Sequence, residues 1–198
     1  MKRFGIMLTA CCAISAVVAP ASTGTVPRLV WNLSASVPIG LYAARVTNRI
    51  DRGELVAVYP LAPIARLMAD RHYLPLRVPM LKRVAAVAGQ TVCRTGTAIL
   101  IDARHVAEAL PRDRMGRLLP RWSGCRTLPK GQVFLLNPAS ATSFDGRYFG
   151  PVATHRIVAV LRPLWLPGGR AAVPASAPAR RESTPHPNTK EPRDDKDR

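Results

Sequence analysis

The sequence predicts a mainly β protein with one short helix, preceded by an N-terminal hydrophobic segment. Three observations support this fold class. The chain has 19 prolines in 198 residues, about twice the usual share, and proline disfavours a helical bundle because it breaks helix interiors. Apolar residues make up 47% of the chain, which is enough for a packed core. Many of them lie in short runs that end at proline or glycine, as strands typically do.

The hydrophobic segment occupies residues 1–21. Lys2 and Arg3 precede an uncharged run of 18 residues that ends in Ala-Pro-Ala. This length is at the short end for a membrane span, which needs roughly 20 residues, and small residues at its end are typical of a signal-peptide cleavage site. The segment is therefore predicted to be either a cleaved signal sequence or a retained membrane anchor. Both interpretations place the following residues across the membrane.

A connector over residues 22–29 leads into a folded domain, which is predicted over residues 30–166. Apolar residues at helical spacing predict one short helix within residues 64–73. Pro, Ala and charged residues dominate residues 167–198, so this part is predicted to be a disordered tail. Apolar runs bounded by turn residues predict strands within 31–46, 54–59, 80–92, 97–101, 104–106, 132–137 and 155–164.

The basic residues are concentrated before the tail. Residues 1–167 contain 22 Lys or Arg and 7 Asp or Glu, a net charge of +15. Such a charge suits nucleic acid, an anionic membrane surface or an acidic partner, and charge alone does not choose among them. No helix-turn-helix and no basic surface interleaved with aromatic residues is visible in the sequence, so no nucleic-acid partner is predicted.

Metal and cofactor sites have no motif to support them. The four histidines are scattered singly, and neither HExxH nor a glycine-rich phosphate loop occurs, so the sequence predicts no metal and no cofactor. A serine hydrolase of the GxSxG type is also disfavoured, because that motif is absent. Cys93 and Cys125 lie in the segment predicted to be exported, where thiols oxidise, and a structural disulfide between them is expected.

Lys82 is notable because lysine is scarce before the tail and because its surroundings are apolar. It lies in the segment PMLKRVAAV. Alternation in a strand places Lys82 on the face of Met80 and Val84, and Arg83 on the opposite face. Burial would lower the pKa of the lysine and make it a neutral base near neutral pH. The alternative is a lysine on an edge strand that extends into solvent.

Two further segments contain candidate polar groups. In NLSASVPIG, Ser36 lies two residues before a proline in a predicted turn, and Ser34 has the same facing parity. An ordinary serine-rich turn is the alternative for this segment. In SFDGRYFG, Asp145 and Arg147 are two residues apart and can pair to hold a loop.

Taken in order, these three segments resemble the type I signal peptidase family, peptidase S26, and within it the TraF-type signal peptidases of conjugative transfer. The matching stretches are NLSASVPIGLY, LKRVAAVAG and GQVFLLNPASATSFDGRYFGPV, and the resemblance covers residues 30–166. It implies an antiparallel, signal-peptidase-like β fold with an apolar surface that rests against the membrane. It also implies that residues 30–166 are a Ser/Lys protease domain.

The resemblance also implies a role for each residue at a matching position. Ser36 would be the nucleophile, Lys82 the general base, and Ser143 the group that orients the lysine amine. The backbone N–H of Ser36 and the hydroxyl of Ser34 would hold the oxyanion. Structural support would come from Asp145 and Arg147.

The chain departs from the family pattern at three positions. Val37 stands where many members have methionine, which agrees with the TraF-type branch. Gln90 replaces a common aspartate, so a supporting carboxylate is missing. Gly146 replaces the more usual serine between the Asp and Arg of the third motif. None of these changes removes the expected nucleophile or base, but the last two put the rigidity of the loops in question.

The function implied is a membrane-associated serine endopeptidase that matures an exported pilin-like precursor for conjugative DNA transfer. The expected location is the bacterial inner membrane or periplasm, with the catalytic domain on the periplasmic side. Expected partners are the precursor, an anionic membrane surface and other components of the conjugation or type IV secretion apparatus. Hydrolysis and cyclisation of the substrate are both left open. The alternatives are a general signal (leader) peptidase and a non-catalytic basic scaffold of the transfer apparatus.

Overall fold

The structure is a computed structural model that describes residues 28–167, together with Met7. Apart from Met7, the predicted signal sequence or anchor (1–21) lies outside the described residues. The same holds for 22–27 of the connector and for 168–198 of the tail. Within the part that is described, no helix is both long enough and apolar enough to cross a membrane.

The described chain is mainly antiparallel β, as the sequence predicts. Its helices are α1 (Ala62–Asp70) and α2 (Gly146–Phe149), and a 3₁₀ turn spans Thr154–Arg156. The strands are β1 (Leu29–Asn32), β2 (Gly40–Arg45), β3 (Leu55–Val58), β4 (Met80–Ala86), β5 (Thr91–Thr95), β6 (Ala98–Ile101), β7 (Arg104–Glu108), β8 (Gly124–Thr127), β9 (Gln132–Leu136), β10 (Val152–Ala153) and β11 (Ile157–Trp165).

Seven of these strands form the larger sheet, in the order β1-β2-β11-β3-β4-β9-β10. All four residues of β3 are buried, which explains why this strand is a continuous apolar run without alternation. One face of the sheet packs around Val56, Val84 and Leu135. The other face packs around Leu55 and Leu161. Strand β4 therefore lies inside the sheet, between β3 and β9.

The smaller sheet has four strands in the order β7-β6-β5-β8. Its core includes Val92 and Ile99 and also takes in Phe134 of β9, so the two sheets share one apolar boundary. Cys93 of β5 lies opposite Cys125 of β8 in the register, and the two are joined by a disulfide. The predicted hairpin between β6 and β7 is also present.

The predicted helix is shifted and a second helix is added. Helix α1 begins at Ala62, earlier than expected, because a proline occupies its first turn, where a missing N–H costs nothing. It ends at Asp70, since His72 adopts a positive φ of 57°. The segment after Asp145, expected only as a loop, closes into the one-turn helix α2. Strand β8 was not predicted because all its residues are exposed and show no apolar alternation.

Candidate active site

A cleft of about 1100 Å³ runs along the larger sheet, and the three sequence motifs meet in it. Ser34 and Ser36 line it from the β1–β2 loop, Lys82 from β4, and Ser143 from the loop before α2. Apolar side chains from α1, from the segment after it and from the 110–119 loop form most of the remaining wall. They include Met68, Tyr73, Leu74 and Leu119, and Phe144 joins them from the loop before α2.

Lys82 is buried, with only 5% of its surface exposed. Its Nζ donates a hydrogen bond to Ser143 Oγ at 2.7 Å. Burial lowers the pKa of Lys82 from 10.5 to about 8; the Asp145 carboxylate raises it in part and the Arg147 guanidinium lowers it further. The alternative of an edge-strand lysine in solvent is therefore wrong, because β4 is an inner strand. Arg83 points the other way and donates to Gly53 O at 2.6 Å.

The β1–β2 loop is shaped by the side chain of Asn32. This residue is 5% exposed, and its Nδ2 donates to the carbonyl oxygens of Ser34, Val37 and Pro38. Its Oδ1 accepts from the backbone N–H of Ser34 at 3.0 Å and from the Ser34 hydroxyl at 2.9 Å. Three donated and two accepted hydrogen bonds of one side chain thus hold the turn. An ordinary serine-rich turn would not need a buried amide of this kind.

The two serine hydroxyls of this loop are neighbours. Ser34 Oγ lies 3.3 Å from Ser36 Oγ. Ser36 is half-buried and Ser34 is exposed. Within residues 28–167 the Ser36 N–H makes no hydrogen bond. This N–H is therefore available to an acceptor that enters the cleft.

The structure brings the candidate residues together as two pairs. Ser34 and Ser36 form one pair, and Lys82 and Ser143 form the other. Both pairs line the same cleft. Among the hydrogen bonds of the described residues none joins Ser36 to Lys82, so the amine is held by Ser143.

Asp145 and Arg147 form a fully buried ion pair below the loop that carries Ser143. Arg147 Nε donates to Asp145 Oδ1 at 2.9 Å and Arg147 Nη2 to Asp145 Oδ2 at 2.9 Å. The remaining guanidinium protons go to the backbone carbonyls of Ser140, Ala141 and Ser143, among others. Such charge-assisted contacts fix the loop and with it the Ser143 hydroxyl.

The contacts of Gln90 and Gly146 explain the two departures from the family pattern that put loop rigidity in question. Gln90 Oε1 accepts from Val87 N at 3.0 Å, while its Nε2 donates to Asp102 Oδ2 at 2.7 Å. The amide thus closes the turn after β4 and recruits a carboxylate from the neighbouring hairpin. At Gly146 a Cβ would lie 2.6 Å from Leu135 O and 2.7 Å from the Phe134 ring. Any larger residue at position 146 would therefore collide with these atoms, and glycine does not.

Sequence reasoning missed two asparagines at the site, Asn32 and Asn137. Both are nearly fully buried, and both connect the motifs through backbone groups. The signal available in the sequence was weak: each is a lone amide at the end of an apolar strand. As for a metal, no three His, Cys, Asp or Glu side chains within residues 28–167 come together as ligands would.

The chain is similar to several known proteins. The family model described as signal peptidase, peptidase S26, matches residues 1–165. The plasmid transfer protein TraF of Escherichia coli is 33% identical over 145 residues, covering 67% of this chain and 80% of that protein. The conjugal transfer protein TraF of Agrobacterium tumefaciens (strain 15955) is 34% identical over 164 residues, covering 77% of this chain and 89% of that protein.

Among solved structures, signal peptidase I from Enterococcus faecalis is similar, with 18% identity and a TM-score of 0.35. The similarity covers 59% of this chain and 100% of that one. The family assignment itself rests on the match over residues 1–165. The chain therefore belongs to the signal peptidase family, peptidase S26.

Proposed function

We propose that this protein is a membrane-associated serine endopeptidase with Ser36 as nucleophile and Lys82 as general base. Its substrate is an exported pilin-like precursor, which it matures for conjugative DNA transfer. One observation carries the proposal: a lysine that is 5% exposed and has its pKa lowered to about 8 shares a cleft with a half-buried serine. A buried amine of this pKa is neutral often enough near neutral pH to accept a proton.

In the proposed mechanism, neutral Lys82 takes the proton of Ser36 Oγ as that oxygen attacks the carbonyl carbon of the scissile peptide. The protonated amine then gives the proton to the leaving nitrogen, and an ester to Ser36 remains. Water, or an amine of the substrate, next attacks this ester and releases Ser36. Ser143 contributes by accepting the hydrogen bond from Lys82 Nζ, which orients the nitrogen lone pair.

The oxyanion of the tetrahedral intermediate would accept hydrogen bonds from the Ser36 N–H and from Ser34. A hydroxyl has a single proton, and that of Ser34 is directed to Asn32 Oδ1 at 2.9 Å. Ser34 must therefore turn its proton away from Asn32 to help, whereas the Ser36 N–H is available already. On this basis the backbone N–H is the main donor and Ser34 a secondary one.

Two features support a location at a membrane and a substrate from the conjugation apparatus. Trp31 and Trp165 stack with ring centroids 5.6 Å apart, and both are more than half exposed, as is Leu33. Exposed tryptophans are typical of groups that sit at a membrane interface. The two relatives described above are named plasmid transfer and conjugal transfer proteins, which favours a pilin-like precursor and partners in the transfer apparatus over a general leader peptidase.

The test is co-expression of the full chain with a candidate pilin precursor, followed by mass spectrometry of the product. Ser36→Ala and Lys82→Ala are expected to abolish processing. Ser34→Ala and Ser143→Ala should lose roughly 10- to 1000-fold, the effect of one oxyanion or orienting contact. The matched controls are the exposed residues Ser123 and Lys130, changed to alanine, which should process normally.

The outcomes separate the alternatives. Normal processing by Ser36→Ala would overturn the nucleophile assignment. Indifference to both Ser36→Ala and Lys82→Ala would favour the basic scaffold. Equal cleavage of unrelated exported precursors would favour a general leader peptidase. A mature product lighter by one water than the hydrolysed chain would show cyclisation.

A further inference from the structure

We propose that Asn137 is a positioning residue that sets the geometry between Ser36 and Lys82. The inference rests on the proposed function, because it assigns a role toward the same nucleophile and base. Asn137 follows β9 directly and is 3% exposed. It contacts the backbone of both motifs rather than their reactive atoms.

The first link runs to the strand that carries Lys82. Strands β4 and β9 pair antiparallel with Arg83 opposite Leu136, so the next position along places Asn137 opposite Lys82. Its side-chain Oδ1 accepts from Arg83 N at 3.0 Å, and its Nδ2 donates to Leu81 O at 3.2 Å. The side-chain amide thus bonds the backbone carbonyl before Lys82 and the backbone N–H after it.

The second link runs to the nucleophile. Asn137 Nδ2 also donates to Ser36 O at 3.0 Å, across 101 residues of sequence. The two protons of one amide nitrogen are therefore shared between the carbonyl of Ser36 and the carbonyl before Lys82. No bond between Ser36 and Lys82 themselves holds these two segments at their distance, so this amide is the direct polar connection between them within residues 28–167.

Asn137 is itself held in place by the buried ion pair. Its backbone N–H donates to Asp145 Oδ2 at 3.0 Å, and Asp145 is fully buried with Arg147. The same ion pair fixes the loop of Ser143, which orients the lysine amine. The proposed nucleophile, base and orienting hydroxyl are thus all connected, through Asn137 or the Ser143 loop, to the Asp145–Arg147 ion pair.

The chemistry of the side chain explains why an amide is needed here. Three backbone groups must be satisfied, two carbonyls and one N–H, and a buried polar group without a partner is costly. Asparagine supplies two donor protons and an acceptor. Aspartate has no proton to give the two carbonyls, and leucine has the size but neither donor nor acceptor.

The kinetic test compares wild type with Asn137→Leu and Asn137→Asp on a quenched-fluorescent peptide that has alanines before the cut. Ile99→Ala, in the apolar core of the smaller sheet, is the control for lost stability, and all assays run below each variant's unfolding transition. We expect kcat to fall about 10- to 100-fold in both Asn137 variants, since misplacement by about 1 Å can cost 10²-fold. KM should change less than about twofold, and Ile99→Ala should keep its kcat. A kcat within about twofold of wild type in Asn137→Leu would overturn the inference.

A second readout does not require cleavage. Hydrogen–deuterium exchange of the Ser34 amide, which donates to Asn32 Oδ1 at 3.0 Å, should become at least about tenfold faster in Asn137→Leu, because the loop loses its anchor at the Ser36 carbonyl, and stay unchanged in Ile99→Ala. Unchanged exchange in Asn137→Leu would overturn the inference. If the wild type cleaves no substrate but this exchange rises, the proposed function fails while the link between the two motifs stands.

Discussion

The two sheets both have apolar cores, but they differ in the polar groups that they bury. In the larger one, Lys82, Asp145 and Arg147 are buried in or beside the sheet, together with Asn32, Asn137 and Ser143. In the smaller one, Arg94 is the only buried polar residue among those described, and a disulfide joins β5 to the exposed strand β8. The larger sheet thus buries the charged and amide groups of the proposed site, which carries a desolvation cost, whereas the smaller sheet is held by apolar packing and a covalent link.

The smaller sheet and the segment before β8 also contact helix α2 through polar groups. Arg94 Nη1 donates to Arg147 O, and Trp122 Nε1 donates to Gly146 O at 2.9 Å. Both contacts reach α2, which carries the ion pair of the site. The smaller sheet thus supports the cleft without lining it.

The largest effect is expected from breaking the buried ion pair. Asp145→Asn leaves the Arg147 charge buried without its carboxylate, which costs about 3–5 kcal/mol of the free energy of unfolding. Urea unfolding of wild type and variant measures this loss. Asp51→Asn is the matched control, because Asp51 pairs with Arg49 at the surface, where the two side chains are 57% and 85% exposed. A loss for Asp145→Asn no larger than that of the control would contradict the account of the larger sheet.

A somewhat smaller effect is expected from opening the disulfide of the smaller sheet. The sequence separation of Cys93 and Cys125 is 32, and closing a loop of this length contributes about 3–4 kcal/mol by the chain-entropy model. The double variant Cys93→Ala/Cys125→Ala should lose this stability in urea, yet keep its cleavage rate at temperatures where it is folded. Loss of cleavage in the folded double variant would show that the smaller sheet does more than support the site.

The third prediction concerns the cost of burying Lys82. Its pKa is about 8 in the folded protein and 10.5 when exposed. Between these values the unfolded chain binds more protons, so the wild type gains stability as the pH rises from 8 to 10.5. Lys82→Met should lack this rise and be more stable at pH 7 by up to about 3 kcal/mol, from 1.36 kcal/mol per pKa unit.

Urea unfolding at several pH values between 7 and 10.5 measures this difference, and Lys130→Met is the control at an exposed position. Cleavage by the wild type should rise with pH around a midpoint near 8 for the same reason. If the stability difference between wild type and Lys82→Met stays constant over this pH range, burial does not lower the pKa of Lys82 as described.

The elements that could be predicted from sequence are those with a local signal. The strands around Val56, Lys82 and Phe134 follow from apolar runs bounded by turn residues. The hairpin after Ile101 follows from its two apolar runs and the residues Asp102 and Ala103, which adopt positive φ. Strand β8 and helix α2 could not be predicted, because β8 is held by pairing and the disulfide, and α2 by its Asp145 cap and the packing of Gly146.

The candidate site likewise has features that the sequence predicts and contacts that it does not predict. Composition and order determined which residue types were available: one lysine in an apolar strand, two serines before a proline, and an Asp and Arg two residues apart. The pairing of Lys82 with Ser143 spans 61 residues, and the link from Asn137 to Ser36 spans 101. Only the tertiary structure decides such contacts, since they depend on sheet register and on which buried amide satisfies which backbone group. The sequence by itself thus determined the family and the candidate reactive groups, and the register of β4 with β9 decided how those groups are held.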